Sequence, residues 1–155
     1  MKQIFYDVVG PVSKKTGFCY RTVYVHDENS KLHSHDFFEI FLTLSDHIIH
    51  NINGAKETLK KGTLVFIRKE DTHYYEYTSN KNVSFINLSF DNDILMELFG
   101  YLTDGCGFQE LLTASFPPSV VLNEGDIQWF LKQIETLNAT SSSDIPLLKY
   151  RCRLL

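Results

Sequence analysis

Leu32-His33-Ser34-His35-Asp36-Phe37-Phe38-Glu39-Ile40-Phe41-Leu42 places two histidines and a carboxylate at the entrance to an apolar β segment. In extended backbone, residues two apart project from the same face, so His33 and His35 point together. Glu39 is different: on a straight strand it would lie roughly 20 Å from His33 at about 3.3 Å per residue, too far to share a ligand. A joint site therefore requires a bend near Asp36, with Glu39 beginning the next strand. His73 is the remaining candidate, supplied by a later strand behind Gly62. Neutral imidazoles and a carboxylate suit divalent zinc, nickel, manganese or iron, so His33, His35, Glu39 and His73 form a candidate metal set. Histidines near strand ends also serve as plain hydrogen-bonding residues, and both readings stay open.

Working outward, residues 18–90 read as short β segments rich in Tyr, Phe, Val, Ile and Thr, separated by turn residues. The segments are Phe18 to Val25, Phe37 to Leu44, His47 to Ile52, Lys56 to Leu59, Thr63 to Ile67, Thr72 to Tyr77 and Val83 to Phe90. Asn53-Gly54 readily takes the positive φ angles of a two-residue hairpin turn. Successive short strands without intervening helices predict an antiparallel sandwich or barrel, a mainly β fold. His26, His47 and His50 fit no ligand spacing and read as surface or pairing residues. Aromatic faces suit carbohydrate C–H surfaces, which makes Tyr75 and Tyr77 candidate ligand-binding residues, with the core or the barrel lip as their other reading. Arg68 and Glu76 read as ligand hydrogen-bonders or as solvated groups.

After Phe90 the period changes. Ile94, Leu95, Leu98, Phe99 and Leu102 recur at helical spacing behind Asp91 or Asn92 as cap. Gly105 and Gly107 interrupt the chain, Phe108 to Leu112 reads as a short helix, Pro117-Pro118 stops it, and Val120 to Leu122 reads as a returning strand. The spacing predicts a stronger helix from Glu124 to Leu137, capped by Asn123, with a stripe of Ile127, Phe130, Leu131, Ile134 and Leu137. A last helix, Asp144 to Leu155, carries Pro146 in its first turn and no stop signal, which reads as a chain cut inside a helix. Residues 1–90 are thus read as a β barrel, and residues 91–155 as a helical region that packs on it.

With 155 residues, 43% hydrophobic and 22% charged, the chain has the composition of one soluble domain. No stretch approaches the ~20 apolar residues of a membrane span, and the start lacks a secretory pattern, so a cytoplasmic location is expected. A net charge of -4 argues against this chain itself gripping DNA. Cys19, Cys106 and Cys152 are far apart without a C-x-x-C pair, and read as buried free thiols.

The spacing from His33 through Glu39 to His73 resembles the cupin superfamily, whose first motif is H-x-H, three or four residues, then E, and whose second runs from a Gly to a His, here Gly62 and His73. The sequence departs from that pattern at Arg68 (usually Pro), Glu70 and Asp46 (usually Gly) and Tyr77 (usually Asn), while all four potential ligand positions are kept. The resemblance implies a cupin double-stranded β-helix, or jelly-roll, barrel followed by C-terminal helices. His33 to Ile40 together with Leu59 to Ile67 look most like AraC-type transcription regulators, with a spacing like that in regulators of chitobiose-type sugar operons. That likeness implies a non-enzymatic sensor: a small-molecule effector, a sugar among the candidates, enters the barrel. It further implies that residues 1–90 are the sensor barrel, that residues 91–155 carry the contact of a homodimer, and that a C-terminal helix-turn-helix domain absent from this chain binds DNA. The rival is a stand-alone metal-dependent cupin enzyme, an oxygenase or isomerase, holding a catalytic ion on His33, His35, Glu39 and His73.

Overall fold

The computed structural model describes residues 12–13, 15–25, 30–77, 83–101 and 107–155. The large sheet has the order β1-β7-β2-β5-β8, from β1 (Phe18–Val25), β7 (Val83–Phe90), β2 (Phe38–Thr43), β5 (Thr63–Ile67) and β8 (Ser119–Val121). The small sheet has the order β4-β3-β6, from β4 (Ala55–Leu59), β3 (Ile48–Ile52) and β6 (His73–Tyr77). Every pairing is antiparallel. The two sheets face each other across a shared core as an antiparallel β barrel.

Alternation along each strand builds two cores. Phe41, Val65, Ile67, Val83 and Phe85 on the inner face of the large sheet meet Ile48, Ile52, Leu59 and Tyr75 of the small sheet. Their neighbours Phe38, Leu42, Ile86, Leu88 and Phe90 point outward and are covered by helices. The covering elements are α1 (Asn92–Tyr101), α2 (Phe108–Thr113), α3 (Glu124–Asn138) and α4 (Ile145–Cys152).

Local chemistry sets the boundaries. Asn53 and Gly54 take φ of 50° and 81° and turn β3 into β4. His47 has φ 69°, so β3 starts one residue later than its apolar pattern suggested. Gly62, at φ 83°, has no alternative, since a Cβ there would stand 2.8 Å from Ile127 Cδ1 and 3.1 Å from the Leu122 carbonyl oxygen. Asp91, Asn123 and Asp144 each accept a backbone N–H from the first turn of the helix they cap. The α4 helix ends at Cys152 with Arg153 as C-cap, short of the Leu155 end expected from sequence. Leu102, Gly105 and Cys106 lie outside the described residues. Cys152 is buried, which pushes its thiol up to about 12, whereas Cys19 is only partly buried.

The returning strand, β8, pairs with β5 through Thr63↔Val121 and Val65↔Ser119, so the segment after Phe90 completes the sheet as well as covering it. The α3 stripe is not free for a partner: Ile127, Phe130, Ile134 and Leu137 are buried, three of them in the core formed with Phe18, Leu42, Ile86 and Leu88. An apolar stripe gains most by leaving water, and the outer face of the sheet is the nearest apolar surface. Phe130→Ala is expected to cost about 3–5 kcal/mol in urea unfolding, against less than about 0.5 kcal/mol for Trp129→Ala on the exposed side. Equal costs would show that the stripe does not pack on the sheet.

Candidate metal and effector site

The site forms where the segment before β2 runs beside β6. His33 N donates to the His73 carbonyl at 3.0 Å and His73 N to the His33 carbonyl at 2.9 Å, an isolated antiparallel bridge. Directly opposed residues in such a pair project on one side. The His33 and His73 rings therefore lie 4.4 Å apart, and His35, two residues on, joins them with its ring 5.0 Å from that of His73. One nitrogen from each of the three rings falls within 4.8 Å of the other two. Bends at Asp36 and Phe37 then deliver Glu39 to β2, and its Oε2 stands 3.2 Å from His35 Nε2. Glu39 abuts the cluster through His35 and is not one of that tight group of three.

Burial is nearly complete: His33 3%, His35 2%, Glu39 0% and His73 0% exposed. Burial holds His73 well below the ordinary imidazole range and lowers His33 too, against the opposing pull of the Lys31 carbonyl. Burial pushes the Glu39 carboxyl up, but the His35 and His73 rings and Asn87 outweigh it and hold it down to about 2. The Glu39 carboxylate and the His33 and His73 rings, which burial biases toward the neutral form, are thus in the protonation states that metal ligation requires. His33 Nδ1 lies 2.7 Å from the Lys31 carbonyl oxygen, which places the proton on Nδ1 and leaves the lone pair on Nε2. His35 Nε2 and His73 Nε2 approach to 3.0 Å.

Among the described residues, Arg21 Nε, His35 Nδ1, His50 Nε2 and His73 Nδ1 are buried side-chain polar atoms without a hydrogen-bond partner, and Glu39 Oε2 meets nothing beyond the His35 ring at 3.2 Å. All of them belong to inward-facing positions of the barrel. Each such atom costs about 1–3 kcal/mol when nothing meets it. A divalent cation or a polar ligand fits this donor set: three imidazoles in reach of one point, next to one buried carboxylate.

Other candidates fall elsewhere. Tyr75 is a core residue, 4% exposed, packed among Phe41, His50 and Phe85, with its hydroxyl 3.4 Å from Glu39 Oε1. Tyr77 pairs with Ile48 in the register of β6, and its side chain lies outside the described residues. His47 is exposed. His50 is not a surface residue but a paired one, and it also faces the cluster: it is 0% exposed, its Nδ1 lies 3.2 Å from Glu57 Oε1, and its ring is 5.6 Å from that of His73. The sequence held a signal for this, since Ile48, His50 and Ile52 share one face of β3 and the isoleucines mark that face as interior. His26 lies outside the described residues. Glu76 pairs on the surface with Lys56 at 2.8 Å.

Arg68 is structural. It is 7% exposed, donates through Nε and Nη2 to Asp71 at 3.0 Å each, and reaches the carbonyls of Leu112 and Ala114 at the end of α2. Asn53 donates to the same Asp71 at 2.7 Å. This network fixes the β5–β6 turn that leads into His73.

Residues 15–148 match the AraC-like ligand binding domain family. The chain belongs to that family. The HTH-type transcriptional activator RhaS of Escherichia fergusonii is 42% identical over 52 residues, which cover 34% of this chain and 19% of RhaS. RhaS of Enterobacter sp. (strain 638) is 44% identical over 48 residues, 31% of this chain and 17% of that protein. Apo ToxT K231A of Vibrio cholerae superposes with a TM-score of 0.67 at 16% identity, covering 89% of this chain and 54% of ToxT. ToxT bound to an unsaturated fatty acid gives 0.63 at 15% identity, covering 89% and 52%. At those identities the likeness is one of fold. The chain spans about half the length of ToxT, and its RhaS matches span under a fifth of those activators.

In this AraC-like domain, Arg68→Met is expected to cost about 3–5 kcal/mol, because it leaves the buried Asp71 carboxylate without its partner. Chemical denaturation of the single variant and of Arg68→Met/Asp71→Asn checks this. A double variant no more stable than the single would sink it.

Proposed function

We propose that the barrel interior is the effector site of a bacterial AraC-type transcription regulator, and that its occupancy controls DNA binding by a helix-turn-helix domain outside this chain. The observation that carries this reading is the gathering of partnerless polar atoms inside the barrel of a ligand-binding family member. Proteins retain such groups where a ligand completes them. Within the site, His33, His35 and His73 hold a divalent ion, zinc, nickel, manganese or iron, with Glu39 beside it. When bound, the ion balances the Glu39 charge and offers a Lewis-acidic attachment point to an effector oxygen. Lys31 fixes the tautomer of His33, and Glu57 holds the His50 ring that faces the cluster.

The effector we favour is small and polar, a sugar being the class whose hydroxyls match such a mixture of donors and acceptors. The ligands come from both sides of the His33↔His73 bridge, so a bound species ties the entrance of β2 to β6. Control requires unequal affinity for two arrangements of the protein. A homodimer is part of this reading, formed through the exposed side of the helical region, where Trp129 and Tyr150 are 49% and 59% exposed. The protein acts in the cytoplasm. A metal triad with open positions also suits an oxygenase or isomerase, but membership of a ligand-binding family favours sensing over turnover.

Isothermal titration of untagged protein with zinc and with nickel tests the ion. His73→Ala is expected to weaken binding at least tenfold, and His47→Ala to leave it unchanged. Full affinity in the His73 variant removes that residue from the ligand set. No binding by any form overturns the metal and leaves a hydrogen-bonding effector cluster. The chain itself, at a net charge of -4, is expected to shift no duplex DNA at physiological salt in a mobility assay.

A further inference from the structure

The outer face of the large sheet is not completely covered by its helices. Ile40, Leu64 and Phe66 form the floor of a cavity of about 420 Å³, walled by Leu98 of α1, Leu111 of α2 and Val120 of β8. It is separate from the barrel interior, because these floor residues alternate with Glu39, Val65 and Ile67, which point the other way. The contrast in burial is sharp: Val65 and Ile67 are 0% exposed, while Ile40, Leu64 and Phe66 are only partly buried.

Protein interiors are close-packed, and an apolar void forfeits the dispersion contacts its lining would otherwise make. This volume lies in the range of small-molecule sites. Among the described residues of the lining, Ser119 is the only polar one and none carries a charged side chain. That chemistry selects the occupant. An ion would find no counter-charge. An extended peptide segment would bring N–H and C=O groups that a single hydroxyl cannot satisfy. Dry apolar cavities instead take up neutral hydrocarbons and aromatic rings.

We propose that this cavity is a second ligand site, for a small uncharged apolar molecule, distinct from the polar site inside the barrel. An occupant touches the sheet through Ile40, Leu64 and Phe66 and both α1 and α2 at once, so it fastens those helices to the barrel. The proposal does not depend on whether a metal binds at the histidines.

Methyl NMR of the 155-residue protein, labelled at Ile, Leu and Val and titrated with benzene and with cyclohexane, tests it. Saturable shifts are expected at Ile40, Leu64, Leu98, Leu111 and Val120, with Ile48, Val65 and Ile67 unmoved, and the melting temperature rises with probe concentration. Val120 is 53% exposed and Leu98 half-buried, so Val120→Trp and Leu98→Trp fill the cavity from its rim without disturbing fully buried positions. Each is expected to weaken benzene binding at least tenfold while keeping the melting temperature of the wild type. Absence of saturable shifts at the cavity methyls overturns the proposal, as do shifts confined to the barrel methyls. Cavity shifts that follow protein concentration without any probe would assign the face to a second copy of the chain and equally overturn it.

Discussion

The central strands of the five-stranded sheet, β2 and β7, are buried on both faces, and most of the molecule follows from that constraint. Strand residues alternate between the barrel interior and the helical layer, so each strand must satisfy two different neighbours. In β2, Phe38, Ile40 and Leu42 serve the helices while Glu39, Phe41 and Thr43 serve the barrel. At about 25 cal/mol per Å² of apolar surface removed from water, both layers contribute, and neither sheet nor helices would be stable with the other stripped away. Moving the register of β2 by one residue would turn Glu39 into the apolar helical layer, which is why the register is strongly specified.

Glu39 is therefore held where a charge is expensive. The fold tolerates it by surrounding it with polarisable and hydrogen-bonding groups, namely His35, Asn87 and the Tyr75 hydroxyl. Even so, several polar atoms nearby remain without partners. Such clusters are costly unless something completes them. By contrast Arg68 and Asp71, equally buried, satisfy each other and the last carbonyls of α2. The same burial thus separates a cluster whose hydrogen-bonding capacity is open from a structural pair in which it is closed.

Much of this was legible in the amino-acid sequence. Apolar alternation located the strands to within a residue or two, Asn53-Gly54 marked its hairpin, and Asn123 and Asp144 declared their helices, because these signals act between residues close in the chain. The same-face relation of His33 and His35 was legible for that reason, as was the need for a bend before Glu39. The partner of each face was not. Period two says that Ile48, His50 and Ile52 share a side, but only the pairing of β3 with β6 puts His50 against His73 and Tyr75. Arg68 read as a solvated or ligand-facing group until the turn folded its guanidinium onto Asp71 and α2. The α3 stripe declared an apolar face, but only the fold set the outer face of the large sheet against it. Local sequence determined which elements form and which residues share a face. Tertiary structure alone decided what each face meets, because contacts such as His33 with His73 join residues forty positions apart, and their register is set by the packing of whole sheets.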